Sequence, residues 1–135
     1  MSNQNVNPDA GQIKFLCEAG LLLVSKGKFA EACDIFQGVI ALIPKRSIGY
    51  TLLGDTWMSM GKHEDAIKIH QQAVDLEPDN TFARVHLGET HLMMKKKDKG
   101  LAELRKVAEA DPNGADGTLA KHLIKASELG VFTKA

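Results

Sequence analysis

Pro44, Pro78 and Pro112 recur at a spacing of 34 residues, and Gly20, Gly54 and Gly88 recur at the same interval. A shared period of this length marks a chain assembled from copies of one helix-turn-helix element, since repeats of roughly 20–50 residues each form a single supersecondary unit. Cutting the chain on that period gives units 13–46, 47–80 and 81–114. Their columns agree. Leu23, Trp57 and His91 share a column, as do Ala32, Ala66 and Gly100, then Phe36, His70 and Leu104, then Val39, Ala73 and Val107. Gly27 and Gly61 share another, where the third unit has Lys95.

The columns have physical reasons. A small residue on the first helix of a unit lets the second cross it closely. Gly27 and Gly61 supply the left-handed backbone that ends the first helix. Each proline stops the second, because its ring fixes φ and removes an amide donor. One unit cannot bury its own apolar face, so units must stack and the ends need caps. The expected fold is all-α, an α-solenoid of three antiparallel helix pairs. Residues 116–129 form a further helical pattern, with Leu119, Leu123, Ala126 and Leu129 toward one side. Asp116 or Thr118 is suited to cap its start and Gly130 its end, so residues 115–135 are expected to be a capping helix and tail. Residues 1–12 are polar, without an apolar run, and are expected to be a disordered lead-in.

The pattern resembles the tetratricopeptide repeat over 102 of 135 residues, the units reading LCEAG..L, YTLLG..W and RVHLG..H before the turn and A..IF, A..IH and G..EL after it. The third unit departs at Lys95 and Gly100. The resemblance implies that the first helices of the units line a concave face and the second helices a convex one. It further implies a protein-interaction module.

On the first helix of unit one, Leu16, Ala19, Gly20 and Leu23 form the packing face. A second stripe, Lys14, Cys17, Leu21 and Val24, runs at i, i+3, i+7 and i+10, a narrow arc on nearly the opposite side at 100° per residue. The same positions hold Ile48, Thr51, Asp55 and Met58 in unit two, and Phe82, Val85, Glu89 and Leu92 in unit three. Eight of the twelve are apolar. A helix with two apolar faces needs two partners, and the stack supplies one. The surplus predicts a shallow apolar groove for an amphipathic helix or extended apolar peptide of another protein. Three alternatives share the groove: filling by residues 1–12, filling by the tail at Val131 and Phe132, or use as a homodimer or scaffold surface.

Relatives that hold the Glu-Glu-Val-Asp tails of heat-shock chaperones project lysine, asparagine and arginine into the groove, because a peptide carboxylate needs charge-assisted donors. The matching places here hold Cys17, Leu21, Leu52, Phe82 and His86. No such clamp is expected. Asp55 and Glu89 would repel an acidic tail and suit a ligand carrying lysine or arginine. In size, repeat number and groove chemistry the chain is similar to the chaperones of bacterial type III secretion, which implies the chaperoning of an apolar helical segment.

The remaining features exclude more than they assign. Seventeen basic and seventeen acidic side chains cancel, leaving no global field to attract nucleic acid or an anionic membrane. No run approaches about 18 apolar residues and no signal-peptide layout opens the chain, so a cytoplasmic location is expected. Cys17 and Cys33 lie 16 apart without a metal-ligand pattern, and Cys33, in the column of Ile67 and Leu101, reads as a small buried hydrophobe. His70, in the column of Phe36 and Leu104, is expected to be a packed, hydrogen-bonded core residue. His86 and His91, five apart and so about 140° around the axis, make a poor chelate. No cofactor or metal is expected, and the chain carries neither a nucleophile elbow nor a phosphate loop, so catalysis is not expected. Lys95, Lys96, Lys97 and Lys99, around Asp98, read as a solvated turn.

Overall fold

The computed structural model describes residues 8–133. They form seven helices: α1 (Ala10–Ser25), α2 (Phe29–Leu42), α3 (Ile48–Ser59), α4 (His63–Leu76), α5 (Thr81–Met93), α6 (Lys97–Ala110) and α7 (Ala115–Glu128). Each odd-numbered helix up to α5 pairs with the helix that follows it, and α7 packs on both α5 and α6. The chain is therefore three stacked antiparallel pairs closed at one end by a single helix.

The three turns inside the pairs are built alike. The amide of Lys28 donates to the Leu23 carbonyl at 2.9 Å, that of Lys62 to Trp57 at 2.9 Å and that of Lys96 to His91 at 2.8 Å. Each bond closes the end of a helix around one left-handed residue. These residues are Gly27 (φ 75°), Gly61 (φ 78°) and Lys95 (φ 62°). The third turn thus keeps the shape of the others with a side chain where they have none.

The junctions between pairs are also repeated. The carbonyl of Pro44 accepts from Tyr50 Oη at 2.8 Å, that of Pro78 from Arg84 Nη2 at 2.7 Å and that of Pro112 from Lys121 Nζ at 2.6 Å. Three different side chains, each on the next helix, satisfy the carbonyl left over where proline ends the preceding one. Glu77 ties the first two pairs together, accepting from the Ser47 amide at 2.6 Å and from Arg46 Nε at 3.3 Å.

The core follows the small columns. One cluster joins Ala32, Cys33, Phe36, Leu52, Leu53 and Ile69 across the first two pairs; another joins Val85, Leu92, Leu101, Leu104, Val107 and Ala120. At Gly88 an added Cβ would come within 2.8 Å of Leu104, and at Gly100 within 2.7 Å of Leu92. The third pair therefore crosses at two facing glycines, where the other units carry alanine opposite Gly20 and Gly54.

Two terminal expectations are corrected. Helix α1 begins at Ala10, inside the expected lead-in. The Gln12 amide donates to Asp9 Oδ1 at 2.7 Å and the Asp9 amide to Gln12 Oε1 at 3.1 Å, a reciprocal capping box that nucleates the helix early. Residues 1–7 of that lead-in lie outside the described residues. At the other end α7 buries Gly117, Ala120 and Ser127 and packs Leu123 and Ile124 on the core, while Leu119 and Leu129 are exposed. The small face wins because α7 starts tightly against Asp111, whose side chain accepts from the Gly117 amide at 3.2 Å. Neither Asp116 nor Thr118 caps α7: its N-cap is Gly114, and Asp116 accepts instead from Thr81 Oγ1 at 2.8 Å. Gly130, at φ 80°, follows the end of the helix.

Candidate functional site

Helices α1, α3 and α5 lie side by side, α1 against α3 and α3 against α5. The fourteen expected groove residues divide on this face. Lys14 and Leu21 are exposed, and Cys17, Val24, Ile48, Asp55, Met58, Phe82, His86 and Glu89 are half-buried. Thr51, Leu52, Val85 and Leu92 are buried, so they line no open surface. The expectation that the whole stripe stands free is corrected at these four positions. Val85 and Leu92 belong to a core cluster that includes Ala120 of α7, and Leu52 to the cluster around Phe36. The inner helices pack on one another as well as on their own partners, and this takes up part of the second apolar face.

The open part has two distinct hollows. Near the first pair, Pro8, Ile13, Lys14, Cys17, Ile43 and Ile48 are among the residues around a largely apolar depression of about 420 Å³. Between α3 and α5, Asp55, Met58, Ser59, Glu89, Thr90 and Met93 surround one of about 300 Å³. Met93, 52% exposed, was not expected at the site. It follows Leu92, one step beyond the stripe, so widening the arc by 100° would have found it.

The polar centre of the face is Asp55. His70 Nε2 stands 3.2 Å from its Oδ1 and His86 Nδ1 2.8 Å from its Oδ2. Neither nitrogen is aligned for a hydrogen bond, and both ring nitrogens of the fully buried His70 are without a hydrogen-bond partner among the described residues. His70 is thus the buried residue expected, packed beneath Gly54, but not the hydrogen-bonded one. Phe82 tilts against the His86 ring with centroids 4.5 Å apart.

The charges follow from this crowding. Burial pushes the Asp55 carboxyl up, but the imidazoles of His70 and His86 outweigh it and hold the group below its ordinary range. Burial pushes His86 down, yet Asp55 foremost, then Glu89 and Asp116, leave it raised. Glu89 is raised by burial and by Asp55, against the opposing pull of His86 and His70. His91 is held down chiefly by burial, then by Lys96 and Lys99, with His70 a lesser cause. Asp55 sits between the two imidazoles, and among the described residues no three His, Cys, Asp or Glu side chains are grouped to hold a metal ion. No helix of the described residues is long and apolar enough to cross a membrane.

The sequence model of the tetratricopeptide repeat matches residues 57–124, half of the chain. The chain belongs to the tetratricopeptide repeat family. Among solved structures of this fold, the first tetratricopeptide domain of Spaghetti (RPAP3) bound to an HSP90 peptide is similar at 20% identity and TM-score 0.75, over 94% of this chain and 98% of that one. The type III secretion translocator chaperone SycD of Yersinia enterocolitica is similar at 18% identity and TM-score 0.75, over 87% and 91%. The TPR2B domain of yeast Sti1 in complex with an Hsp70 peptide is similar at 16% identity and TM-score 0.76, over 87% and 97%. No curated protein matches the chain by sequence. At these identities the likeness concerns the fold, and what this tetratricopeptide domain binds must be argued from its own face.

Proposed function

We propose that this domain holds an apolar or amphipathic segment of another protein along α1, α3 and α5, as a non-catalytic chaperone or adaptor of the cytoplasm. The observation that carries this reading is Leu21, 48% exposed at the centre of α1, beside half-buried Cys17, Val24, Ile48, Met58 and Phe82. Exposed leucine among partly open apolar residues of neighbouring helices is a feature of partner-binding surfaces. SycD, by name a translocator chaperone, shares the fold, which supports the chaperone variant over a passive spacer. The HSP90 and Hsp70 peptides bound by other relatives bear only on the use of a groove, since Cys17, Leu21, Leu52, Phe82 and His86 offer no lysine, arginine or asparagine donors for an acidic tail. The free thiols of Cys17 and Cys33, both pushed up chiefly by burial, accord with a reducing compartment.

The test uses a fluorescent 16-residue amphipathic helix with an uncharged polar face, titrated by anisotropy into the full chain. Saturable binding, weakened about tenfold or more by Leu21→Asp with Phe82→Asp while helicity holds, is the expected result. Binding unmoved by the pair of substitutions sinks the groove. Light scattering on the same samples addresses self-association: a dimer lost in the double variant, together with no peptide binding by the parent, would put a second copy in the groove instead.

A further inference from the structure

We propose that the bound segment inserts a lysine or arginine side chain between α3 and α5, its aliphatic stem along Met58 and Met93 and its cationic end between Asp55 and Glu89. The inference rests on the groove reading above and specifies a residue that the partner must carry.

The hollow is about 300 Å³, at the lower bound for small-molecule sites and suited to one long side chain. Its walls have two characters. Met58 is half-buried and Met93 exposed; both side chains are flexible and polarizable, and they suit a methylene chain. Asp55 and Glu89 are two partly buried carboxylates on neighbouring helices. No lysine or arginine among the described residues pairs with either; the ion pairs of this chain that involve Asp55 are with His70 and His86, and none involves Glu89.

The two imidazoles do not complete the site. Each takes up one side of the Asp55 carboxylate, His70 Nε2 at 3.2 Å from Oδ1 and His86 Nδ1 at 2.8 Å from Oδ2, and a carboxylate's two oxygens offer about four lone-pair sites, so acceptor capacity is left for a donor entering from the groove. The fully buried ring of His70 sets Nε2 3.2 Å from Asp55 Oδ1, and neither of its nitrogens has a hydrogen-bond partner among the described residues. Glu89 is the more exposed to this deficit, its carboxyl pushed up by burial and by the negative charge of Asp55. An ammonium carries three donors and a guanidinium five, so either supplies charge and hydrogen bonds together. Because the chain has no net charge, this preference is local to the hollow and independent of long-range steering.

The experiment uses four versions of the neutral-faced amphipathic peptide: lysine, arginine or methionine at one central groove-facing position, and a lysine moved to the solvent face. Binding to the full chain is read by anisotropy, and the Met58 and Met93 methyls by NMR after methyl labelling. The groove-facing lysine and arginine peptides are expected to bind about tenfold tighter than the methionine and displaced-lysine peptides, and to shift both methyl signals. Glu89→Gln and Asp55→Asn should each narrow that gap, and Glu89→Lys should transfer the preference to a glutamate peptide. Glu89→Gln and Glu89→Lys keep the inference testable where Asp55→Asn disturbs packing around His70. Equal affinity of all four peptides for the parent overturns the inference and leaves the groove standing. A gap that persists in folded Glu89→Gln and Asp55→Asn proteins also overturns it. Absence of binding by every peptide overturns the groove reading and this inference together.

Discussion

The first and third repeats present the same face in opposite states. On α1, Leu21 is 48% exposed, and the outer side of the helix adds Phe15 at 68% and Leu22 at 56%. On α5, Val85 and Leu92 are buried to 0% and 1% exposure. The difference lies less in the sequences of the two helices than in their neighbours. Among the described residues, helix α5 lies between α3 and α7, whereas α1 has only α3 and its own partner α2 beside it. A tetratricopeptide helix is open where no further helix lies beside it, and among the described residues Phe15, Leu16 and Leu42 line a hollow of about 620 Å³ on this side of α1. A face of this kind is closed by a flanking helix, not by its own composition.

The largest expected effect comes from breaking that contrast at the closed end. Removing residues 115–135 takes away Ala120, Leu123, Ile124 and Phe132, which pack against Val85, Leu92 and Leu104. At about 1.5–3 kcal/mol for each large apolar side chain exposed, the loss amounts to roughly 5 kcal/mol, enough to melt the third repeat separately. Phe15→Lys at the open end should change stability by less than about 0.5 kcal/mol, because little burial is lost. Urea unfolding followed by circular dichroism checks both, and similar losses in the two proteins would refute the account of the ends.

Much of the fold was legible because the period fixes which residues recur. The column of Phe36, His70 and Leu104 is fully buried, and Gly27 and Gly61 have the left-handed backbone their positions required. The open positions of the inner face were legible at Leu21, Ile48, Met58 and Phe82, which keep some exposure, and misread at Thr51, Leu52, Val85 and Leu92, which are buried. A helical wheel tells which side of a helix a residue is on, but not whether a third helix covers that side. The same blindness hid Phe15 and Leu22, beside which no further helix lies among the described residues. The contact of Asp55 with His70 was out of reach for a different reason. His70 belongs to the packing column of the second helix, and only the small Gly54 lets its ring reach through to the inner face.

A pH series sharpens the comparison, because the titrating groups sit on the inner face of the second and third repeats and not on α1 at Leu21. Asp55 is lowered in the folded state, so its contribution is present above its unfolded value and is lost as pH falls through the folded one. His86 is raised, so its contribution is full below the ordinary 6.5 and is lost as pH rises through the folded value. The joint stabilisation therefore spans the window between the two. Glu89, raised, also lowers stability as pH rises through its own range. His91, lowered, acts in the opposite sense to His86 around neutrality, so the parent profile alone is ambiguous. The difference between parent and His86→Gln isolates the imidazole. The substitution is expected to cost most near pH 6 and progressively less in alkali, whereas Leu21→Gln should shift stability by the same amount at every pH. A pH-independent cost of His86→Gln would remove the charge argument.

A smaller effect than the loss of α7 concerns the turn that the third repeat shares with the others. Lys95 at φ 62° is the one non-glycine residue with positive φ among those described, and Gly27 and Gly61 occupy the same place at 75° and 78°. The hydrogen bond from Lys96 to His91 matches its two counterparts within 0.1 Å, so the turn has not relaxed to accommodate the side chain. A Cβ in this conformation costs about 1–2 kcal/mol, part of which is offset because lysine restricts the unfolded chain more than glycine does. Lys95→Gly should therefore stabilise the protein by about 0.5–1 kcal/mol, and Gly61→Lys should destabilise it by at least as much. Matched thermal melts decide the point. A loss of stability in Lys95→Gly would mean that the lysine side chain contributes more than its backbone costs, and the third turn would then be closed by its own chemistry instead of by the tight crossing of α5 and α6 at Gly88 and Gly100.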